Sequence, residues 1–224
     1  TVKQFADIPL QDNLPVQGVT TSPRSYGWIP TENATLIWAE ALDGGNPRNK
    51  AEYRDKLMTH AAPFSNAPNE LLKIEQRYQG RAFGEKDGLM LFYDYNRDTQ
   101  KRRIFSIDYR NPSAPKLISD LNVNDRYNDI GQPVFKTLAN GERVIQQSGD
   151  EIFLTGQGAT PSGDRPFLRA LDLKTLANYD LYRSSGDSYE TVVALIGQNG
   201  LSFITRKESN TEPPNLYSQT ICHP

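Results

Sequence analysis

A serine nucleophile requires a specific local motif, and the sequence contains only an imperfect copy of it. Segment 186–190 (GDSYE) comes nearest to G-x-S-x-G, whose glycines allow a catalytic serine to sit on a sharp turn between a strand and a helix. Glu190 stands where the second glycine belongs, and the segment lies in a predicted turn between strands with no helix after it. We therefore expect that Ser188 is not a nucleophile and that the chain holds no catalytic residue.

The two histidines and the single cysteine are no better placed for chemistry. A general base at His60 would need a serine or cysteine within hydrogen-bond reach and a carboxylate to orient it, whereas its Thr-His-Ala-Ala-Pro setting indicates an element that ends in a loop. Cys222 and His223 lie together at the C-terminal end, where we expect mobile residues with no surrounding shell. One cysteine cannot form an internal disulfide, and a Cys/His zinc site would lack at least one ligand.

Carboxylates occur in pairs four residues apart, but their spacing does not define a site. A glycosidase needs two carboxylates that face one cleft at a set separation, which sequence spacing in a chain of strands does not establish. Oxygen-bearing side chains between Asp120 and Asp129 could bind calcium, yet they lack the glycine and the final glutamate of an EF-hand loop. We expect solvated loops and neither a metal nor another cofactor. The pairs are Asp94 and Asp98, Asp125 and Asp129, and Glu208 and Glu212.

Charge and hydropathy exclude two classes of partner. The 224 residues include 25 Lys and Arg against 27 Asp and Glu, a net charge of −2 that argues against nucleic acid as a partner. No apolar run approaches the roughly 18 to 20 residues that cross a bilayer, so we expect no membrane partner. The first residues lack both a methionine and a signal-peptide pattern, and we interpret the chain as an excised or processed segment.

Short strand-like runs separated by Gly, Asn, Asp or Pro dominate the sequence, and the best helical window is the polar segment 49–58 (NKAEYRDKLM). Asp-Gly and Asn-Gly pairs, which tolerate the positive φ of tight hairpin turns, lie at 87–88, 140–141 and 199–200. Because strands do not alternate with helices, a parallel sheet is not expected. Fourteen strands are predicted: 25–29, 35–41, 71–76, 89–95, 103–109, 116–120, 134–138, 143–147, 151–155, 167–173, 178–182, 191–196, 201–205 and 215–220.

The strands recur in groups with a period of 51 to 60 residues, opening near Tyr26, Gly80, Gly131 and Thr191. Repeats of this size are typical of propeller blades. Segments 102–108 and 165–172 match as third strands, and each ends on an aspartate that can accept NH groups of the following turn. The sequence thus predicts an all-β fold, a partial β-propeller of about four four-stranded antiparallel blades, with a β-sandwich as the alternative. The predicted blades lie near 25–76, 78–122, 131–185 and 189–220.

Several stretches resemble the propeller part of bacterial serine peptidases of the prolyl oligopeptidase family, specifically the glutamyl endopeptidase-like branch. The resemblance extends from about Val2 to Tyr217 and is most specific around Ser162-Gly163-Asp164-Arg165-Pro166. The stretches, in chain order, are 36–45, 61–64 leading toward 75–77, 155–168, 189–195 and 206–215.

This resemblance implies a longer parent in which the propeller covers an α/β-hydrolase domain that carries a Ser-Asp-His triad. Such a propeller admits peptides and excludes folded proteins, while the branch implies cleavage after glutamate, with aminopeptidase-like relatives as an open alternative. The chain alone is expected to be inactive, and a bacterial cytoplasm or periplasm fits its cysteine content equally well. A stand-alone propeller that binds a protein or glycan through Trp28, Trp38 and tyrosines, or a pure scaffold, remains an alternative.

The most distinctive polar segment, residues 208–215 (ESNTEPPN), follows the next-to-last predicted strand. Its Pro213-Pro214 pair fixes the backbone, and we expect Arg206, Glu208 and Glu212 to shape the contact with the hydrolase domain or the approach of substrate. The alternative is an inter-strand turn that matters only for the fold.

Arginines could attract acidic peptides. Faces of the predicted blades that are left uncovered would favour self-association. The arginines in question are Arg77, Arg81, Arg165 and Arg206.

Overall fold

A computed structural model describes residues 4–86, 88–197 and 199–221. Within these residues the regular secondary structure consists of β-strands alone. The strands are β1 (Arg24–Trp28), β2 (Thr35–Ala41), β3 (Asp55–Ala61), β4 (Asn69–Ile74), β5 (Arg77–Phe83), β6 (Leu89–Asn96), β7 (Lys101–Asp108), β8 (Lys116–Asn122), β9 (Gln132–Pro133), β10 (Phe135–Thr137), β11 (Arg143–Ile145), β12 (Gln147–Ser148), β13 (Glu151–Gly156), β14 (Ala159–Thr160), β15 (Gly163–Asp164), β16 (Phe167–Asp172), β17 (Asn178–Arg183), β18 (Tyr189–Ile196), β19 (Ser202–Glu208) and β20 (Asn215–Thr220).

The strands form four successive antiparallel sheets in which neighbours follow chain order. Sheet 1 contains β1–β4 and sheet 2 contains β5–β8; sheet 3 runs β12-β13-β16-β17 with β9 beside β13, and sheet 4 contains β18–β20. Two short hairpins, β10–β11 and β14–β15, stand apart from these sheets. The predicted all-β partial propeller is confirmed, although sheet 3 has five strands and sheet 4 has three.

Apolar side chains join each sheet to the next, so that sheets 2 and 3 are buried on both faces. Along β6, Met90 packs toward sheet 1, whereas its neighbour Leu91 packs toward sheet 3. Along β13, Ile152 packs toward sheet 2 and Phe153 toward sheet 4. Successive side chains of a strand point to opposite faces, so these uninterrupted apolar runs require a partner sheet on each side. A two-layer sandwich would offer only one buried face.

The connections between successive strands lie alternately at the two ends of each sheet. The turns that follow β1, β5, β12 and β18 connect the first strand of each sheet to its second, and we call the end where they lie the hairpin end. The next turns, after β2, β6, β13 and β19, lie at the opposite end together with the links from one sheet to the next. We call this the linker end, because an antiparallel meander of four strands returns the chain to it.

Segment 49–58, the best of the few helical windows in the sequence, forms no helix, and β3 begins within it at Asp55. Leu57 and Met58 are adjacent and both buried, on opposite faces of sheet 1. A strand can bury two adjacent side chains in this way, whereas on a helix neighbouring residues point 100° apart, on the order of a quarter turn. Pairing along the whole of β2 decides between the two structures.

The aspartates that end the two matched third strands do accept NH groups of the following turn. Asp108 Oδ1 accepts the NH of Arg110 at 2.9 Å, and Asp172 Oδ1 accepts those of Lys174 and Thr175 at 2.8 and 2.7 Å. Burial would raise the pKa of the Asp108 carboxyl, but hydrogen bonds from the Asn111 side chain and from the NH groups of Arg110 and Asn111 outweigh it and hold that pKa below its usual range. The prediction from the repeated sequence pattern is therefore confirmed.

A buried ion cluster fixes the link between sheets 1 and 2. Arg77, the first residue of sheet 2, donates to Asp43 Oδ2 at 2.5 Å and to Asp55 Oδ1 at 2.7 Å. Both carboxylates are fully buried, and Arg54 and Arg24 complete their pairing at 2.9 and 2.7 Å. Burial alone would raise the pKa of Asp43, but the bonds from Arg77 and Arg54 outweigh it and hold that pKa below its ordinary value. The Asp43 carboxylate thus stays charged at neutral pH.

A second buried carboxylate, that of Glu190, joins sheet 4 to sheet 3. Its Oε1 accepts Thr205 Oγ1 at 2.5 Å and Gln219 Nε2 at 3.0 Å, and Tyr182 of sheet 3 also bonds to this carboxylate. Burial pushes the pKa of Glu190 upward, but these hydrogen bonds outweigh it and lower that pKa. Glu190, which stands where the G-x-S-x-G motif needs its second glycine, thus serves to join two sheets.

Replacing Arg77 by methionine tests the ion cluster. The substitution leaves two buried carboxylates with fewer cations, and we expect the free energy of unfolding to fall by about 3–5 kcal/mol in urea denaturation. Arg206→Met is the matched control, since Arg206 pairs with Glu208 on the surface and its loss is expected to cost at most about 1 kcal/mol. Equal losses in the two variants would contradict the role of the cluster.

Replacing Glu190 by glutamine tests the junction of sheets 3 and 4 through pH. The folded-state pKa lies below the unfolded value of about 4.3, so the carboxylate stabilises the fold above that pH and the stabilisation disappears as pH falls through the folded pKa. Urea midpoints at pH 7 and pH 3 should therefore differ less in Glu190→Gln than in the wild type. The exposed Glu212→Gln variant should behave as the wild type, and a Glu190→Gln curve parallel to the wild-type curve would refute the assignment.

Candidate functional site

Two of the three residues predicted to shape an interface lie together at the linker end. Arg206 Nη2 donates to Glu208 Oε2 at 3.0 Å, at the end of β19, and both side chains are partly exposed. Arg206 pairs with Leu216 across the sheet, whereas Phe203 and Thr205 face sheet 3, so Arg206 lies on the outer face of sheet 4. The pair is available for contact with another part of a longer protein.

The third residue, Glu212, lies in the turn after β19 and is exposed. The turn is held internally, because Ser209 Oγ accepts the NH of Glu212 at 3.1 Å and the NH of Ser209 donates to the carbonyl of Glu212 at 3.1 Å. Pro213 and Pro214 then lead into β20. The structure thus places Glu212 at the same end as Arg206 and Glu208, on a turn that its own hydrogen bonds make compact.

Three of the four predicted arginines use their guanidinium groups to join elements of the chain. Arg77 lies in the buried ion cluster. Arg81 donates to the carbonyls of Ser25 and Ile37 in sheet 1, at 3.0 and 3.3 Å. Arg165 donates to the carbonyl of Gly186 in the link to sheet 4 at 2.6 Å. These contacts brace neighbouring sheets, a role that no local sequence signal indicates.

The candidate nucleophile and base do not meet. Ser188 lies in the link before β18, its carbonyl accepts Ser184 Oγ at 3.2 Å, and a strand follows where the motif requires a helix. His60 is buried in β3 on the outer face of sheet 1, with its ring edge-on to Phe64 and Phe5 at centroid distances of 5.2 and 6.1 Å. Cys222 and His223 lie outside the described residues.

The predicted carboxylate pairs also serve local structure. Asp94 is buried and forms a two-point ion pair with Arg103, with distances of 3.0 and 2.6 Å. Asp125 accepts the NH groups of Tyr127 and Asn128 in the link to sheet 3. Within the described ranges, no group of three or more His, Cys, Asp and Glu side chains is arranged to hold a metal ion. Nor do these residues include a helix whose length and apolarity would span a bilayer.

A cavity of about 420 Å³ opens at the linker end between sheets 3 and 4. Its lining includes the apolar side chains of Phe167, Pro166 and Val192 and polar groups of Gln132 and Tyr189. The arrangement suits an extended peptide, because apolar side chains could pack on the apolar lining while backbone groups bond at the rim. It offers no nucleophile with an adjacent general base.

The turn between β13 and β16 forms one wall of this cavity and carries the most specific family-like stretch. Arg126 Nη2 holds the turn from the preceding link, through Asp164 Oδ2 at 3.0 Å and Gln157 Oε1 at 3.2 Å. Gly158 has φ +61°, and a Cβ there would lie 2.1 Å from the carbonyl oxygen of Arg165. Only glycine fits so close an approach. Arg126 was missed by the sequence analysis, because its partners lie more than thirty residues away.

Comparison with known proteins identifies relatives along nearly the whole chain, although no protein-family model matches the sequence. The chain is 33% identical over 238 aligned residues to a protein of Oryza sativa subsp. japonica named "Probable glutamyl endopeptidase, chloroplastic", covering 97% of this chain and 25% of the rice protein. An Arabidopsis thaliana protein of the same name is 32% identical over 231 residues, covering 94% of this chain and 24% of that protein. The chain therefore spans about a quarter of the length of these curated relatives.

Among solved structures, an uncharacterized protein of Listeria monocytogenes resembles the fold with a TM-score of 0.53. Its sequence is 13% identical, and the match covers 92% of this chain and 54% of that protein. At this level of identity the similarity concerns the fold alone. Over nearly its whole length, the chain is similar in sequence to a segment of glutamyl endopeptidase relatives, which supports the resemblance to a propeller of the prolyl oligopeptidase family.

Proposed function

We propose that this chain is the propeller segment of a serine peptidase of the prolyl oligopeptidase family and that it controls the access of peptides to a separate α/β-hydrolase domain. The observation that carries the proposal is the 33% identity along 97% of the chain to a quarter of a glutamyl endopeptidase relative. The remaining three quarters of such a protein leave ample room for a hydrolase domain. Ser188, in the link before sheet 4, and His60, in sheet 1, form no pair of nucleophile and base within this segment.

In this proposal the linker end faces the hydrolase domain. Arg206, Glu208 and Glu212 lie there on or beside the last described turn, and the cavity at Phe167 and Val192 opens on the same side. A rigid set of sheets around the access route admits flexible chains and excludes folded proteins by size. The hydrolase domain supplies the serine, which attacks the scissile carbonyl and forms an acyl-enzyme.

Cleavage after glutamate is the specificity that we propose for the longer enzyme, on the basis of the relatives' names. Arg206 is paired with Glu208, and the guanidinium groups of Arg77, Arg81 and Arg165 are bound to other parts of the chain. These arginines do not by themselves select an acidic substrate. The proposal therefore places the pocket for the P1 glutamate in the hydrolase domain. A bacterial source remains a prediction from the resemblance, since the two curated relatives are plant proteins.

A serine-reactive phosphonate tests where catalysis resides. We expect a fluorescent phosphonate to label the full-length polypeptide and to leave the 224-residue chain unlabelled, because the nucleophile lies outside this segment. Denatured samples of both polypeptides control for unspecific reaction. Labelling of the short chain would contradict the proposal, and a full-length polypeptide that ends without a G-x-S-x-G motif would favour a stand-alone binding propeller instead.

Removing a charge at the linker end tests the proposed interface. In the full-length enzyme, Arg206→Ala should lower kcat/KM for a glutamyl peptide roughly two- to tenfold, about 1 kcal/mol for a partly exposed ion pair at a domain contact. Lys174→Ala is the matched control, since Lys174 forms an exposed ion pair with Asp150 at 2.6 Å at the hairpin end. If kcat/KM falls equally in Arg206→Ala and Lys174→Ala, or falls in neither variant, the result would argue against a domain contact at Arg206.

A further inference from the structure

The first strand of sheet 3 is divided by an inserted hairpin. β9 and β12 pair with opposite ends of β13, through Pro133 and Leu154 at one end and Gln147 and Ile152 at the other. Between them the chain leaves the sheet and forms β10 and β11, which we call the inserted hairpin (residues 135–145). The sequence predicts strands at 134–138 and 143–147 as ordinary members of a blade, whereas in the structure β10 and β11 pair with each other.

The first strands of sheets 1 and 2 lie close together, whereas the last strands of sheets 1 to 3 are more exposed. β5 is largely buried, with buried residues at both of its ends, whereas β4, β8 and β17 expose many of their residues. Arg81 of β5 reaches the carbonyl of Ser25 in β1 at 3.0 Å, so two first strands lie side by side. In a propeller, the strands that converge surround a central channel.

The inserted hairpin reaches every other sheet at the hairpin end of this channel. Lys136 Nζ lies 2.5 Å from Glu85 Oε2 of sheet 2, and Asn140 Nδ2 donates to the carbonyl of Pro30 in sheet 1 at 3.3 Å. Gln146, beside the hairpin, donates to the carbonyl of Gly197 in sheet 4 at 2.6 Å. All three partners lie in turns between a first and a second strand. The hairpin therefore crosses the point where the first strands meet.

The base of the hairpin is anchored in the core and does not hang free. Val144 and Ile145 are fully buried, and Ile145 packs with Leu91 and Ile152 between sheets 2 and 3. Ile145 also forms a backbone bridge with Gly84, at the end of β5. An element with buried apolar anchors and ties to three sheets is held in one position, which distinguishes it from a mobile gate.

We propose that the inserted hairpin is a fixed plug that closes the central channel at the hairpin end and leaves the linker end as the open side. For the longer enzyme, and resting there on the proposed function, this means that a peptide reaches the hydrolase domain from the linker end and does not pass through the hairpin end. The cover that the hairpin places over the hairpin-end turns does not depend on catalysis, so it can be measured on the 224-residue chain.

Cysteine labelling under the hairpin measures the occlusion directly. A Glu85→Cys reporter is placed in a Cys222→Ser background, which removes the chain's single native cysteine. The plug predicts that a bulky dye-maleimide labels this reporter slowly, and that replacing residues 136–143 by Asn-Gly raises the rate at least about tenfold, as expected when an opening step costing about 1.4 kcal/mol is removed. Equal rates with and without the hairpin would overturn the proposal.

Two further variants separate occlusion from charge and from unfolding. In the same reporter background, Lys136→Met keeps the bulk of the hairpin and should change the labelling rate less than about twofold, near the limit that a surface charge imposes. If the shortened variant fails to fold by circular dichroism, the Lys136→Ala/Asn140→Ala variant keeps the hairpin backbone in the same reporter background. Glu85 is already replaced there, so this variant removes the bond from Asn140 to sheet 1 and the bulk of the Lys136 side chain above the reporter, and its labelling should accelerate. Acceleration in Lys136→Met as large as in the double variant would show that charge alone governs access and would overturn the plug.

Cross-linking in the full-length enzyme tests the route of the peptide. A short bis-maleimide that joins Glu85→Cys to Lys136→Cys, with Cys222 replaced by serine, should leave kcat/KM for a small glutamyl peptide unchanged, because the peptide does not use that mouth. Loss of activity on cross-linking would mean that the hairpin must move, and would replace the plug by a gate. Failure of the phosphonate to label the full-length enzyme would instead refute the proposed function and leave the labelling result intact.

Discussion

The burial of both faces of the two middle sheets is the constraint on which the rest of the structure depends. Met90 and Leu91 are neighbours in β6 that pack into different inter-sheet cores, and Ile152 and Phe153 do the same in β13. Because each such sheet needs a partner on either side, the sheets can only be stacked in series. The positions of the turns, the channel and the linker-end cavity follow from this stacking.

Polar groups in the interior serve the same stacking. The cluster of Arg77, Asp43 and Asp55 lies where sheet 1 passes into sheet 2, and the Glu190 network lies where sheet 4 meets sheet 3. Burying a charge is costly unless it is paired and hydrogen-bonded, so each group also fixes the position of its partners. Residue types that first suggested chemistry are therefore used to set the geometry between sheets.

The two ends of the sheets have different characters, and this asymmetry gives the proposed function its direction. At the hairpin end, Lys136, Asn140 and Gln146 tie the inserted hairpin and its flank to the other three sheets. At the linker end, the cavity beside Phe167 and the exposed turn near Arg206 remain open. In the proposed arrangement the open side would face the hydrolase domain, and the closed side would face away from it.

The sequence by itself determined the features that depend on near neighbours. Short strand-like runs such as β2 and the turn-capping Asp108 and Asp172 were predicted, because the length of an apolar run, the turn residues that bound it and bonds to the next NH groups are local. Tertiary structure alone decided that a strand, β3, begins at Asp55, that Arg77 is buried, and that residues 135–145 leave their sheet. These outcomes depend on partners far along the chain, and pairing between distant residues leaves no pattern in a local window.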